Sequence, residues 1–319
     1  MKSKFITLKL GIKKNKTDGL LISLSKESIT ELIFTINKFA AAPVIISKHN
    51  ITKSNPKYIF INSGNANACT GKEGLANTKK ILNLLANRLN CNSYEIIIMS
   101  TGIIGRQLPI DDIQESITKN TFNNYSTLKD AATAVMTTDK YPKYLSKQYQ
   151  IGSKKITFSG LCKGAGMIEP NMATMLAFVE TDVSITKSKL KKYLNYCTNL
   201  SFNVISVDGD MSTNDCVAFT STNLVNIDLK NKNNEKKLLE YAVDFFIQLS
   251  SKIVKDGEGA TKIIKLNISN AKTKTLAQVI SRKISNSLLV KTAMYGEDPN
   301  WGRIIASLGS INDSALNVG

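Results

Sequence analysis

The sequence contains one histidine in 319 residues. A Ser–His–Asp or Cys–His catalytic unit needs a histidine as its base, and a metal cage usually needs several. His49, the single one, follows the apolar run 44–46 and is expected at the end of a strand. The scarcity of histidine argues against these machineries and predicts that any catalytic base is another group.

Cysteine pairs and long apolar runs are also missing. The five cysteines, at positions 69, 91, 162, 197 and 216, include no Cys-x-x-Cys pair, so neither a disulfide framework nor a zinc site is expected. They are expected to be free, buried thiols of a reducing compartment. The sequence lacks an apolar run that could span a bilayer, and "MKSKFITLKLGIKK" alternates like a strand rather than like a signal peptide. These features predict a cytoplasmic protein.

Acidic residues are few relative to basic ones, and the net charge is +17. A basic protein attracts nucleic acid or anionic substrates. The lysines, however, are spread along the chain among many asparagines, and no basic stripe interleaved with aromatic residues is present. Nucleic-acid binding is therefore the weaker interpretation, and salt-dependent retention on DNA or RNA would support it.

Hydrophobic periodicity predicts an α/β fold, because segments typical of buried strands alternate with amphipathic helices. The predicted strands cover residues 58–62, 94–100, 203–208 and 216–222. The predicted helices cover residues 73–90, 108–117, 187–200 and 236–255. The one plausible boundary is the glycine-rich loop 163–171.

Polar, glycine-containing loops end or follow several strands, and such loops commonly carry binding and catalytic groups. Their sequences are "NSGNANACTG" (62–71), "STGIIG" (100–105), "SVDGDMSTND" (206–215), "DGEGATK" (256–262) and "GEDPNWGR" (296–303). Each alone is also compatible with an ordinary turn. In "STGIIG", Thr101 and Gly102 suit an oxyanion hole as well as they suit a turn.

The stretch "KGAGMIEPNMATMLAF" (163–178) places Thr174 between a polar loop and an apolar element. A threonine hydroxyl becomes a nucleophile without histidine if the residue is an N-terminus, because its own α-amine, with a pKa of about 7.7–8, serves as the base. This chemistry requires cleavage between Ala173 and Thr174. Spacing alone favours the alternative, in which Thr174 caps the following element.

The same stretch resembles the self-cleavage segment of the ornithine acetyltransferase family, also called bifunctional glutamate N-acetyltransferase/amino-acid acetyltransferase. "FTINKFAAAPV" (34–44), "MTTD" (136–139) and the five loops above also resemble family segments, in the family's order. The resemblance covers nearly the whole chain. It implies an α/β fold with mixed sheets and packed helices, of the self-processing N-terminal-nucleophile type.

The resemblance also implies roles for individual residues. Thr174 corresponds to the nucleophile, freed by autocatalytic cleavage after Ala173. The oxyanion-stabilising pair corresponds to Thr101 and Gly102. The substrate-binding positions correspond to Thr174, Lys163, Glu258 and Thr137, with Thr138 as the alternative to Thr137.

The implied reaction moves an acetyl group from N2-acetyl-L-ornithine to L-glutamate through an acetyl-threonine, in arginine biosynthesis. Some members also accept acetyl-CoA, and neither a cofactor nor a metal is implied. Residues 1–173 would form an alpha chain that carries the oxyanion site. Residues 174–319 would form a beta chain that starts with the nucleophile, and the fragments would assemble as α2β2.

The sequence departs from the family at its ends. The N-terminal lead-in is short, and the family's C-terminal segment, with a substrate-binding asparagine and Ser/Thr, has no counterpart here. These departures indicate either a fragment or a truncated form of reduced competence. Two alternatives to the acetyltransferase stay open: a truncated, inactive remnant, and a self-processing N-terminal-nucleophile amide hydrolase in which water accepts the acyl group.

Overall fold

The computed structural model describes residues 2–169 and 175–312, which form nine strands and nine helices. The strands are β1 (Lys4–Leu8), β2 (Gly19–Ser23), β3 (Ile29–Phe34), β4 (Tyr58–Asn65), β5 (Ile96–Ile103), β6 (Lys143–Ile151), β7 (Lys154–Lys163), β8 (Leu176–Val183) and β9 (Cys216–Val225). The helices are α1 (Ala42–Lys53), α2 (Gly71–Leu89), α3 (Ile110–Lys119), α4 (Leu128–Ala134), α5 (Lys187–Leu200), α6 (Lys232–Lys255), α7 (Lys274–Ser285), α8 (Leu288–Tyr295) and α9 (Trp301–Gly309).

The strands form two mixed sheets. The first has the order β1-β2-β4-β5, and its β4 and β5 are parallel. The second has the order β3-β9-β8-β7-β6, and its β8 and β9 are parallel. A parallel pair needs a crossover connection, and helices α2 and α5 lie within the two crossovers.

The molecule has four layers, which follow from the two-residue periodicity of its strands. In β5, Ile97 and Met99 belong to a core that also contains β7, β8 and β9 side chains, so this core lies between the sheets. Ile96 and Ile98 face the other side and pack with α2 and α3. Helices α5 and α6 cover the outer face of the second sheet. The predicted α/β fold with mixed sheets and packed helices is confirmed.

The predicted strand at 203–208 is wrong. Residues Phe202–Val204 form a 3-10 turn, and Val204 is exposed. The Val207 N–H donates to the carbonyl of Ile168, in the glycine-rich loop, instead of joining a sheet ladder. The apolar residues of this stretch therefore pack a loop rather than form a strand.

The predicted place of His49 at a strand end is also wrong. His49 is exposed on α1, and Pro43 lies in the first turn of that helix, where the missing N–H of proline costs nothing. Cys162, Cys197 and Cys216 are buried as predicted. Cys69 is exposed and Cys91 is half-buried, so the prediction of buried thiols is wrong for these two.

None of the helices within residues 2–169 and 175–312 combines the length and apolar character that a bilayer crossing requires.

Candidate active site

The carboxyl ends of β4 and β5 form one wall of the site. Gly64 and Gly102 pair in register, and both have positive φ angles, of 102° and 133°. A Cβ added to Gly102 would lie 2.2 Å from the carbonyl carbon of Gly64. Only glycine fits this close backbone approach. Strand β5 ends one residue later, at Ile103, and Thr101 is buried whereas Gly102 is exposed.

A buried lysine joins the two sheets beside this wall. Lys163 ends β7 in the second sheet, and its Nζ donates to Oγ1 of Thr101 in the first sheet at 2.9 Å. Both side chains are buried. Burial lowers the pKa of Lys163, although the Asp139 and Asp215 carboxylates oppose this effect. The pair therefore presents a desolvated amine and a hydroxyl where the two sheets meet.

Next to Lys163 lies a group of charges that we call the buried ion cluster: Asp139, Lys143 and Asp256. Lys143 Nζ lies 2.5 Å from Oδ1 of Asp139 and 2.5 Å from Oδ2 of Asp256. Burial disfavours the charged form of Asp139, but Lys163 and Lys143 outweigh burial and hold its pKa below the ordinary value. The opposing carboxylates likewise outweigh burial and raise the pKa of Lys143.

The segment "MTTD" contacts the glycine-rich loop through Asp139. This carboxylate accepts hydrogen bonds from the Gly164 N–H at 2.8 Å and from the Thr137 N–H at 2.9 Å. Thr137 is half-buried, whereas Thr138 is exposed. Asp139 therefore connects Thr137 to Gly164, the residue that follows Lys163.

Glu258 also contacts the glycine-rich loop. Its backbone N–H donates to the Ala165 carbonyl at 2.8 Å, and its side chain is exposed. A Cβ added to Gly166 would lie 2.7 Å from Cδ of Glu258, so this glycine leaves space for the carboxylate. The Glu258 charge also acts on Lys163, where it favours the protonated amine.

Asp215 is a candidate functional residue that sequence reasoning did not single out. It is fully buried, and its Oδ1 accepts a hydrogen bond from the Met175 N–H at 2.9 Å. Burial raises its pKa well above the ordinary value, although the Met175 N–H, Lys163 and Ser212 favour the charged form. The available signal was its place as the last residue of the loop 206–215.

Asn214, the residue before Asp215, connects this loop to the first sheet. Its Nδ2 donates to the carbonyls of Ala66 and Ser100, at 2.7 and 2.8 Å. Thr35, in the segment 34–44, donates its N–H to the Asp215 carbonyl at 2.9 Å. Five of the segments singled out from the sequence therefore meet around Asn214 and Asp215.

The predicted site residues fall into three groups. Those brought together are Thr101, Gly102, Thr137, Lys163 and Glu258. Ala173 and Thr174, the predicted cleavage site and nucleophile, lie outside the described residues. The segment 296–303 follows α8, and its Glu297 pairs at 3.0 Å with Lys262, in the segment that carries Glu258. Within the described part of the chain, no cluster of His, Cys, Asp and Glu could hold a metal ion.

The fold and the site thus define an α/β protein with a histidine-free polar centre between two sheets, and comparisons with known proteins identify its family. A sequence model of the ArgJ family matches residues 4–318. The mitochondrial arginine biosynthesis bifunctional protein ArgJ of Dictyostelium discoideum is 45% identical over 310 residues, which cover 95% of this chain and 70% of that protein. The arginine biosynthesis bifunctional protein ArgJ of Caldanaerobacter subterraneus is 41% identical, covering 94% of this chain and 75% of that protein.

A crystal structure of the arginine biosynthesis bifunctional protein ArgJ of Bacillus halodurans is 30% identical, with a TM-score of 0.46, covering 54% of this chain and 91% of that chain. On the sequence evidence, the chain belongs to the ArgJ family. The predicted family and the prediction of an enzyme are confirmed. One of these relatives is named as mitochondrial, so the cytoplasmic location stays a prediction.

Proposed function

We propose that this chain transfers an acetyl group from N2-acetyl-L-ornithine to L-glutamate, with Thr174 as the nucleophile after cleavage between Ala173 and Thr174. Membership of the ArgJ family supports a role in arginine biosynthesis, because its relatives are named for that role. The scheme uses no cofactor and no metal. Acetyl-CoA would enter, where it is accepted, as an alternative acetyl donor.

The observation that carries the proposal is the buried contact between Lys163 and Thr101 at the junction of the sheets. Lys163 pairs in register with Leu176 on β8. Residues 174 and 176 are two positions apart, so their Cα atoms lie within about 7 Å of each other. This limit supports a nucleophile at position 174 that acts beside Lys163, Thr101 and Gly102.

In the first half-reaction, the Thr174 Oγ attacks the acetyl carbonyl carbon of N2-acetyl-ornithine, and the Thr174 α-amine takes the hydroxyl proton. Negative charge develops on the carbonyl oxygen. The backbone N–H of Gly102 and the hydroxyl of Thr101 are the donors that would stabilise it. The carbon–nitrogen bond then breaks, the departing ornithine amine takes the proton, and an acetyl ester remains on Thr174.

In the second half-reaction, the α-amine of glutamate attacks the ester carbonyl carbon. The carbon–Oγ bond breaks, and the glutamate amine loses a proton as Thr174 regains its hydroxyl. Water in place of glutamate would release acetate, which is the hydrolase alternative. Lys163 is suited to bind the α-carboxylate that both substrates carry. Glu258, whose carboxylate is exposed, is suited to the side-chain ammonium of ornithine.

The sheet order supports fragments that stay associated after cleavage. Strands β8 and β9, which follow Thr174, lie in one sheet with β3, β6 and β7, which precede it. Separation of the two fragments would break this sheet and expose the core between the sheets. An α2β2 assembly is our proposal for the complete protein.

The test starts with the mass of the purified chain under denaturing conditions. We expect two fragments, with Thr-Met-Leu at the N-terminus of the smaller one, while Thr174→Ala stays uncut and inactive. Thr133→Ala, which changes an exposed threonine of α4, is the matched control and should be cut normally. An uncut wild-type chain after prolonged incubation would contradict the proposal.

Kinetics test the acetyl-enzyme directly. Because the donor leaves before the acceptor binds, initial rates measured with both substrates varied should give the parallel lines of a ping-pong mechanism. An acetyl adduct on the smaller fragment should be detected by mass spectrometry. Intersecting lines without such an adduct would exclude the mechanism, and acetate release without transfer would favour the hydrolase.

A further inference from the structure

The buried ion cluster lies where three loops of the candidate site meet, yet none of its members has a role in the reaction above. Lys143 is the first residue of β6 and is fully buried, and Asp256 follows the last residue of α6. Asp139 completes the cluster from the segment 136–139. A buried charge is costly unless it is paired, so removal of one member leaves the others uncompensated.

The partners of the cluster are the loops that carry the candidate substrate residues. The Asp139 carboxylate accepts hydrogen bonds from the backbone N–H groups of Thr137 and Gly164, and Gly164 directly follows Lys163. Asp256 accepts from the Lys140 N–H at 2.9 Å and precedes Glu258 by two residues. One group of three charges therefore contacts the loops 137–140, 163–165 and 256–258.

We propose that Asp139, Lys143 and Asp256 act together as positioning residues that hold these three loops in one fixed arrangement. The inference rests on the proposed function for its kinetic consequence, but not for its structural one. Thr137, Lys163 and Glu258 lie on different elements, and no direct contact joins all three in the described part of the structure. The cluster supplies the shared anchor that would keep their spacing constant.

The cluster also sets part of the electrostatic field at Lys163. The pKa of Lys163 is influenced by charges on several elements, namely those of Asp139, Lys143, Asp215 and Glu258. The charge of Lys163 in turn lowers the pKa of Lys13. Lys143 disfavours the protonated form of Lys163, and Asp139 favours it. Changes within the cluster should therefore alter the ionisation of Lys163 with a sign that depends on the charge removed.

The test compares Asp256→Asn and Lys143→Met with a matched control, Asp244→Asn. Lys147 and Asp244 form an ion pair at 3.0 Å between β6 and α6, the same two elements that Lys143 and Asp256 join. Hydrogen exchange is read by mass spectrometry in the segments 137–140 and 256–260. Each cluster variant should accelerate exchange in both segments at once by at least about tenfold, because the shared anchor is lost. The control should leave both segments unchanged.

Kinetics supply the second measurement. Asp256→Asn should lower kcat/KM for acetyl transfer by about 100-fold through misplacement of the substrate contacts, and Asp244→Asn should not. The basic limb of the pH profile of kcat/KM should move in opposite directions in the two cluster variants. Lys143→Met removes a positive charge and moves the limb to higher pH, whereas Asp256→Asn leaves Lys143 less compensated and moves it to lower pH. A merely structural role would not produce opposite shifts.

The outcomes separate this inference from the proposed function. Faster exchange in only one of the two segments would overturn the positioning role, as would unchanged kinetics in Asp256→Asn. If the wild-type chain transfers no acetyl group, the proposed function fails, and the exchange data alone decide the cluster. If Lys143→Met yields no folded protein, Asp256→Asn decides, because its amide retains the shape of the carboxylate and an oxygen acceptor.

Discussion

The most direct test of the site geometry is the substitution Gly102→Ala. Gly102 has a φ of 133°, which side chains rarely adopt, and it pairs with Gly64 of the neighbouring strand. An added Cβ would lie 2.2 Å from the Gly64 carbonyl carbon and 2.5 Å from the Asn65 nitrogen. These are backbone atoms, so no side-chain rotation relieves the overlap, and β4 and β5 must move apart.

The size of the effect follows from two contributions. The backbone strain of a non-glycine residue in this region costs about 1–3 kcal/mol. Overlap in a packed region costs about 1–3 kcal/mol more. We therefore expect Gly102→Ala to lower the free energy of unfolding by about 4 kcal/mol. Displacement of the Gly102 N–H should also remove one of the two proposed oxyanion donors, and such a loss lowers kcat by about 10²–10³.

Urea unfolding gives the free energy of unfolding. It is measured in a Thr174→Ala background so that the chain stays in one piece. Acetyl transfer is measured in the background that carries Thr174. The matched control is Gly105→Ala: Gly105 lies in the same loop with a φ of 82°, but an added Cβ meets nothing within 4 Å. It should therefore show only the backbone strain, and normal transfer. If Gly102→Ala lost no more stability than Gly105→Ala and transferred acetyl normally, the argument from close approach would be refuted.

Two further predictions concern the buried charges near Lys163. Lys163→Met should lower kcat/KM by more than tenfold, a loss above about 1.4 kcal/mol, because it removes the donor to Thr101 and the proposed contact to the substrate carboxylate. Circular dichroism should show a folded protein, and normal turnover would contradict the proposed role. The free energy of unfolding of Asp215→Asn, relative to that of the chain with Asp215, should be higher at pH 8 than at pH 4. Burial raises the folded-state pKa of Asp215, so stability is lost as pH rises from the unfolded value of about 3.9 through the folded one, and an amide has no such loss. Urea unfolding at both pH values in the Thr174→Ala background tests this, and an equal difference at the two would refute it.

The parallel unit of β4, α2 and β5 could be predicted from sequence because its signals are local. Both strands are buried on both faces and therefore appear as continuous apolar runs. The predicted helix at 73–90 differs by two residues at its start and one at its end from Gly71–Leu89. The hairpin of β6 and β7 was not predicted, although Gly152, with a φ of 59°, lies in its turn and the burial of β6 alternates.

Two errors show where local patterns fail. The stretch 203–208 has the composition of a strand, but its backbone bonds to Ile168 in a distant loop. His49 follows an apolar run that belongs to a helix, and Pro43 was the signal for the start of that helix. In each case the residues are as apolar as those of a strand. The contact with Ile168 shows that the first stretch belongs to a loop, and Pro43 shows that the second belongs to a helix.

The candidate site could be predicted only in part, because its charges meet through tertiary structure. Lys143 and Asp256 are separated by 113 positions, and Lys163 and Thr101 by 62. Composition identifies lysine and aspartate as surface residues by default. The local pattern already suggested Thr101 and Gly102 as an oxyanion site, and the family resemblance added Lys163 and Glu258, whereas the buried ion cluster and Asp215 required the structure.

The burial of Lys163 is itself an argument for function. An ammonium removed from water loses hydration energy, and a hydrophobic residue at the same place would avoid that cost. Here the chain instead surrounds Lys163 with the carboxylates of Asp139 and Asp215 and directs its Nζ to Thr101. Such an arrangement adds little to stability, because Asp139 already pairs with Lys143. Its distinctive property is a buried amine that reaches Thr101 at the junction of the sheets, beside the strand that begins two residues after Thr174. In the proposed mechanism, this cation would bind the substrate's α-carboxylate while the acetyl carbonyl is attacked at the same junction.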